Sequence, residues 1–80
     1  MSAEQTRQAL IRAGLKLFGS KGFDGTSTRE IAAAASANIG SIAYHFGGKD
    51  GLRTACAAFI VETIQAVAGA ALAAEAGGPT

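Results

Sequence analysis

The stretch that decides the fold is STREIAAAASANIGSIAYHF, residues 27–46. It opens with Ser27 three residues ahead of Glu30. In this spacing the serine hydroxyl accepts from the glutamate backbone N–H while the glutamate reaches back to the serine, a reciprocal arrangement known as a capping box. The run that follows is rich in alanine, which has the highest helix propensity of any residue type. The stretch therefore predicts a short helix that starts at Ser27 and ends near Ala35.

A second short helix is predicted immediately after it. Residues 36–38 break the first helix, and Asn38 is a good N-cap for a helix from about Ile39 to His45. Gly47 and Gly48 then close it. Two short helices joined by about three residues are typical of a helix-turn-helix, in which the second helix lies in the DNA major groove. Spacing alone also fits a plain helical bundle.

Longer amphipathic helices are predicted on both sides of this stretch. From residue 4 to 19 apolar side chains recur at intervals of three and four, and a second apolar stripe follows residue 49 to about residue 74. No sustained alternation of β-branched and aromatic residues predicts a strand. We therefore expect an all-α chain: a three-helix bundle with a helix-turn-helix, followed by the start of a long fourth helix.

The composition indicates one small soluble domain. The chain has 80 residues, of which 49% are hydrophobic and 16% charged, and its formal net charge is +1. With so little net charge, any electrostatic attraction to a partner must be local. The single cysteine, Cys56, cannot form an internal disulfide, and no Cys/His cluster has metal-ligand spacing. We expect a cytoplasmic protein with no metal and no cofactor.

A membrane location is also disfavoured by the sequence. The N-terminus lacks the basic and then apolar order of a secretory signal. Residues 55–74 are long enough to cross a bilayer, but they include Glu62 and Gln65 and consist mostly of alanine. We therefore predict no membrane contact.

The third predicted helix carries small side chains on its surface, so another molecule could approach its backbone closely. Ile42 and Phe46 lie one turn apart and should face inward, which leaves Ser41, Tyr44 and His45 on the other faces. Hydroxyl, phenol and imidazole groups can all bond phosphate or base atoms. This pattern indicates a surface that can contact DNA.

Two helix starts beside that surface are candidates for phosphate contacts. Ser27, Thr28 and Arg29 supply hydroxyls and a guanidinium at one start, while Gly48 and Lys49 supply a flexible backbone and an ammonium at the other. Taken singly, each residue is more simply a cap or a solvated side chain. Their combination in one window favours a DNA-binding function.

The order of these motifs resembles the N-terminal DNA-binding domain of the TetR family of transcriptional regulators. The resemblance covers about residues 4–64 and is most specific over residues 44–52. It rests on Ile11 with Ala13, Leu17-Phe18, Gly22-Phe23, Thr26-Ser27-Thr28, Ile31-Ala32, Gly40 and the run Tyr44-His45-Phe46-Gly47-Gly48-Lys49-Asp50-Gly51-Leu52.

The resemblance implies a homodimeric regulator, usually a repressor, that reads a palindromic double-stranded DNA operator until a small-molecule effector binds. It implies DNA contacts at Ser27, Thr28, Arg29, Asn38, Ile39, Gly40, Ser41, Tyr44, His45 and Lys49. Residues 65–80 would hold the rest of the fourth helix and a flexible tail, and we expect the ligand-binding domain to be absent from this chain.

The sequence departs from the family pattern at two positions. Ser36 stands where the turn usually has glycine, and Ala43 stands where the recognition helix often has tyrosine. The first substitution should cost some turn stability. The second removes one expected DNA contact and places more demand on Tyr44 and His45.

Two other classes of function remain open from the sequence. Phe59, Ile60, Ile64 and Val67 should form an apolar face on the fourth helix with few partners, which could bind a protein or a second copy of the chain. An enzyme is the weakest reading, because the single His45 has no partner set for a catalytic triad and no phosphate-binding loop follows a strand.

Overall fold

The structure, a computed structural model, describes residues 2–76. It consists of four helices: α1 (Ala3–Lys21), α2 (Thr28–Ala34), α3 (Gly40–Phe46) and α4 (Lys49–Ala76). The described residues contain no strand, so the all-α prediction is confirmed. The tail predicted near residues 77–80 lies outside the described residues.

The core draws on all four helices. One large side chain from each is completely or almost completely buried: Leu10 of α1, Ile31 of α2, Ile42 of α3 and Leu52 of α4. Smaller buried side chains fill the space between them: Ala13, Ala32, Ala35 and Cys56. Burying a leucine or isoleucine contributes roughly 1.5–3 kcal/mol. Each helix is therefore fixed to the others by at least one such contact.

α1 is longer at both ends than the sequence indicated. Ser2 caps it in a complete capping box with Gln5, a signal that our sequence analysis did not use. At the other end the helix runs to Lys21 instead of Gly19. It stops where Gly22, at a φ of 80°, donates its backbone N–H to the Phe18 carbonyl. The two extra residues follow because Gly19 stays helical and the positive φ occurs only at Gly22.

The loop between α1 and α2 is held by a buried hydroxyl. Thr26 is 2% exposed, and its Oγ1 lies 2.7 Å from the Gly22 carbonyl oxygen and 3.2 Å from that of Leu17. A Cβ on Gly25 would lie 2.4 Å from the Lys21 carbonyl oxygen, so only glycine fits there. These contacts fix the path of the chain into α2.

The turn between α2 and α3 is a Schellman motif, a helix ending in which two backbone N–H groups bond back to the last turn. Ser36 donates to the Ala33 carbonyl and Ala37 donates to the Ala32 carbonyl. Ser36 has a φ of 54°, in the left-handed region. The position where the sequence departs from the family's glycine is therefore one where a side chain is strained.

The junction between α3 and α4 is built from three glycines. Gly47, at a φ of 78°, ends α3 by donating its N–H to the Ala43 carbonyl, and Gly48 has a φ of 145°. A Cβ on Gly51 would fall 1.7 Å from the Phe46 carbonyl oxygen. The first turn of α4 thus packs directly on the last turn of α3.

The N-terminal half of α4 crosses α1 closely. A Cβ on Gly14 would lie 3.0 Å from the Cys56 sulfur, and that thiol donates to the Ile11 carbonyl at 3.5 Å. Burial raises the pKa of the Cys56 thiol. Cys56 is therefore a packing residue.

The C-terminal half of α4 extends beyond the core. The helix continues to Ala76, two residues past the predicted end, and its large apolar residues there are exposed: Ile60, Val61, Ile64, Val67 and Leu72. By length and composition, Lys49–Ala74 could also cross a membrane. Soluble helices pass the same test, so this feature is weak evidence for a membrane location.

We predict that Gly51→Ala destabilises the chain although alanine is the better helix former. The new Cβ would meet the Phe46 carbonyl and force α3 away from α4. Gly69→Ala is the matched control, because a Cβ there meets nothing within 4 Å and should stabilise α4 by about 1 kcal/mol. Urea unfolding followed by circular dichroism compares the two variants. Equal stabilisation by both would contradict the close packing at Gly51.

We also predict that Ser36→Gly stabilises the chain by about 1 kcal/mol, because it removes the left-handed strain of an L side chain. This net gain is the free energy of the relieved strain minus the cost of the greater conformational entropy that glycine gives the unfolded chain. Ser41→Gly, in α3, should instead destabilise, because this residue has no positive φ. A thermal midpoint for Ser36→Gly at or below that of the unchanged chain would refute the prediction.

Candidate nucleic-acid interface

The start of α2 exposes two of its three predicted contact residues with free polar groups. Ser27 caps the helix by accepting from the Glu30 N–H at 3.1 Å, and its own hydroxyl donates to the Glu30 carboxylate at 3.3 Å. The Ser27 hydroxyl is thus engaged on both sides. Thr28 is partly exposed and Arg29 is exposed. Among the described residues, neither of these side chains has a hydrogen-bond partner.

Glu30 departs from the predicted capping box. Its carboxylate pairs mainly with Lys21 at the end of α1, and the backbone N–H of Ser27 makes only a weak contact with it. The hydrogen bond from the Lys21 ammonium is the main cause that holds the pKa of Glu30 below its ordinary value. The expected back-bond is weak because a cation on a neighbouring helix binds a carboxylate more strongly than a neutral amide does. The pair ties the start of α2 to the end of α1.

The start of α3 is capped by Asn38, as predicted. The regular helix begins at Gly40, but Ile39 already has helical angles, and Asn38 Oδ1 accepts from the Gly40 N–H at 2.8 Å. Asn38 is exposed, and its amide nitrogen has no partner among the described residues. Ile39 is 47% exposed. The turn therefore presents an amide donor and an apolar side chain beside each other.

The outward face of α3 carries small side chains apart from one aromatic ring. Ile42 is buried and Phe46 is partly buried, so the predicted inward face is confirmed. Gly40 and Ala43 are exposed and carry little or no side chain. Tyr44, four residues after Gly40 and therefore on the same face, is 81% exposed. A ligand can approach the backbone of α3 closely beside this phenol.

Ser41 and His45 flank that face. Both are partly exposed and lie four residues apart, one turn along the helix. The His45 ring meets the Tyr44 ring edge-on, with 4.9 Å between centroids, and lies 6.0 Å from the Phe46 ring. His45 therefore links the exposed phenol to the core. Neither Tyr44 nor His45 is buried.

The start of α4 holds a cation against an aromatic ring that the sequence analysis did not select. The Lys49 ammonium lies 4.2 Å from the ring centroid of Phe23, and the Arg53 guanidinium lies 4.1 Å from the same centroid. Phe23 lies in the loop that leads into α2. Lys49 is therefore placed beside the loop that leads into α2.

Phe23 and Arg53 were missed for a physical reason. They lie 30 residues apart in the chain, so no local spacing relates them. The same holds for Arg7 of α1, whose guanidinium lies 5.4 Å from the Phe46 ring centroid. The only local signal was an aromatic residue between two glycines in the loop. Among residues 2–76 no group of three or more His, Cys, Asp or Glu could hold a metal ion.

Comparison with known proteins identifies the family. Residues 10–56, which include α2, α3 and the first turns of α4, match the family described as bacterial regulatory proteins, tetR family. The chain belongs to the TetR family. The resemblance found in the sequence is thereby confirmed.

Named relatives of this TetR-family chain are transcriptional regulators. It is 47% identical over 64 residues to the HTH-type transcriptional dual regulator CecR of Shigella flexneri, covering 80% of this chain and 28% of the relative. It is 44% identical over 72 residues to the HTH-type transcriptional regulatory protein RaaS of Mycobacterium tuberculosis, covering 89% of this chain and 34% of that protein. The chain thus spans about a quarter to a third of the length of these relatives.

The Lys21–Glu30 pair leads to a pH-dependent prediction. Since the pair lowers the folded-state pKa of Glu30, its stabilisation is present above the ordinary glutamate pKa of about 4.3 and is lost as the pH falls through the folded-state value. Glu30→Gln should therefore lower the thermal midpoint slightly near neutral pH, and the difference should vanish in acid. Glu62→Gln is the control, because Glu62 is exposed on α4 and has no ion pair among the described residues. A Glu30→Gln difference that persists in acid would contradict the ion-pair account.

Proposed function

We propose that residues 4–64 are the sequence-specific DNA-binding domain of a transcription regulator, with a helix-turn-helix over about residues 27–46. The observation that carries the proposal is the low, exposed face of α3 behind a fixed turn, in a chain of the TetR family. Its relatives are named as HTH-type regulators or regulatory proteins of transcription. The recognition helix is α3, and it enters the major groove.

In this mechanism α3 contacts base edges through a small number of side chains of different chemistry. The Asn38 amide can pair with adenine, and the Ile39 side chain can contact a thymine methyl group. The Ser41 hydroxyl can bond a donor or an acceptor on a base edge. Gly40 allows the backbone to come close, and Tyr44 and His45 reach phosphate or base atoms at the C-terminal end of the helix. α3 holds no lysine or arginine, the residues that most often pair with guanine. DNA shape and bridging water then carry part of the specificity.

Phosphate contacts position the domain on both sides of α3. Thr28 and Arg29 supply a hydroxyl and a guanidinium at the start of α2, and Lys49 supplies an ammonium at the start of α4. Ser27 has the smaller role of these four, because its hydroxyl is already bonded to Glu30 twice. Arg29 and Lys49 therefore provide most of the salt-dependent affinity.

The whole regulator, in this proposal, is a cytoplasmic homodimeric repressor that binds a palindromic operator and releases it when a small molecule binds. Two-fold symmetry of the protein would match the palindrome, with half-sites about one helical turn or a multiple apart. The chain spans a minor part of its relatives' length, so effector binding falls to segments outside residues 4–64. Neither a cofactor nor catalysis has a role in this mechanism.

A second candidate function is supported by the exposed apolar face of α4. Ile60, Ile64 and Val67 are 46%, 62% and 66% exposed, which is high for aliphatic side chains on one helix. A protein-interaction module using this face would lose its function with Ile64→Asp and keep it with Tyr44→Ala. A DNA-binding domain would show the reverse order of sensitivity.

The DNA-binding proposal is tested with duplexes selected by the protein from a random-sequence pool. Tyr44→Ala should weaken binding about twofold to tenfold by removing one hydrogen bond, and Lys49→Gln about tenfold or more by removing a charged one. Lys49→Gln should also reduce the slope of log affinity against log salt by about 1. Fluorescence anisotropy across a salt series measures both quantities.

Lys16→Gln is the charge-matched control, because Lys16 lines a groove between α1 and the C-terminal end of α2. This variant should bind like the unchanged chain. Failure of the unchanged protein to enrich any sequence from the pool at low salt would overturn the proposed function. Loss of helicity in Tyr44→Ala or Lys49→Gln would show that the residue supports the fold.

A further inference from the structure

Phe23 is the only aromatic ring among the described residues that contacts two cationic side chains. The Lys49 ammonium lies 4.2 Å and the Arg53 guanidinium 4.1 Å from its centroid, well inside the roughly 6 Å range of a cation–π contact. Both cations come from the first two turns of α4. The ring comes from the loop between α1 and α2.

The Phe23 ring is held in place by contacts with α1. Phe23 is partly buried and packs on the Phe18 ring of α1, with 5.3 Å between centroids. Thr26, three residues later, is fixed by its buried hydroxyl bonds to the end of α1. The Phe23 ring that meets the two cations is therefore anchored to α1 and acts as a fixed platform.

The two cations beside Phe23 repel each other. Lys49 and Arg53 lie four residues apart on α4, where like charges repel. The Arg53 guanidinium is also held by Asp50, at 3.4 Å. Lysine has a flexible stem, and fixing it before binding reduces the conformational entropy lost when it meets an anion. A shared aromatic ring offsets the repulsion and restricts the Lys49 ammonium to one region.

We propose that Phe23 is a positioning residue for DNA binding: it preorganises the Lys49 ammonium, next to Arg53, for a backbone phosphate. This inference rests on the proposed DNA-binding function and assigns to the α1–α2 loop a role beyond packing. Phe23 acts through Lys49 and does not itself touch the duplex. Its contribution is independent of sequence, because phosphate contacts carry no base information.

The variant pair Phe23→Leu and Phe23→Tyr separates the charge effect from packing. Leucine retains an apolar contact with Phe18 but has no negative ring face, whereas tyrosine retains the ring. The probe is a short fluorescent duplex of random sequence, followed by anisotropy at low salt. Phe23→Leu should bind about twofold to fivefold more weakly, the equivalent of one exposed cation–π contact, and Phe23→Tyr should restore the affinity.

A double-mutant cycle identifies the residue through which Phe23 acts. In a Lys49→Gln background, Phe23→Leu should have a clearly smaller effect on affinity, because Arg53 is then the one cation left on the ring. An equal loss in both backgrounds would overturn the proposal and assign Phe23 a purely structural role. Equal affinity of Phe23→Leu and the unchanged chain, at equal helicity, would overturn it as well.

A readout without DNA keeps this inference separate from the proposed function. The ring current of Phe23 should shift the NMR signals of the Lys49 ε-methylene protons upfield, and Phe23→Leu should return them to the values of the other lysines. Unshifted signals in the unchanged chain overturn the inference even if DNA binds and even if the leucine variant fails to fold. Shifted signals in a chain that binds no duplex leave the platform in place and overturn the proposed function.

Discussion

The contact on which the rest of the arrangement depends is the backbone approach of α4 to the end of α3. Gly51 has no Cβ, and this lets the first turn of α4 lie against the Phe46 carbonyl, while Gly47 and Gly48 supply the positive φ angles that bring the chain there. That approach sets the direction of α4. The direction in turn places Leu52 and Cys56 against α1 and Lys49 beside the α1–α2 loop. The candidate interface is thus a consequence of where three glycines lie.

The parts of the fold that depend on nearby residues could be predicted from the sequence. The cap at Ser27, the break after Ala35, the cap at Asn38 and the inward direction of Ile42 all follow from spacings of four residues or fewer. The strain at Ser36 was also foreseeable, because the turn at that position calls for glycine. Local hydrogen bonds and helical periodicity dictate these features, so reading them requires no knowledge of the tertiary structure.

The parts that depend on distant residues could not be predicted. Glu30 was expected to complete its own cap, but its carboxylate pairs mainly with Lys21 on α1. The Ser27 hydroxyl is also bonded to Glu30 and is therefore less free for an outside ligand. The pairing of Phe23 with Lys49 and Arg53 arises only when the loop folds back on α4. The ends of α1 and α4 were likewise set two residues short, because alanine, glycine and lysine near a helix end give no sharp stop.

Cys56 has a consequence for following this molecule in solution. Its sulfur lies at the crossing of α1 and α4, is 4% exposed, and has a pKa raised by burial. Since so little of this thiol is exposed, a thiol reagent should react with it much faster when the two helices part than while they stay packed. The rate of alkylation at Cys56 therefore reports how often that crossing opens, which makes this thiol a built-in probe of local unfolding where α4 packs on α1.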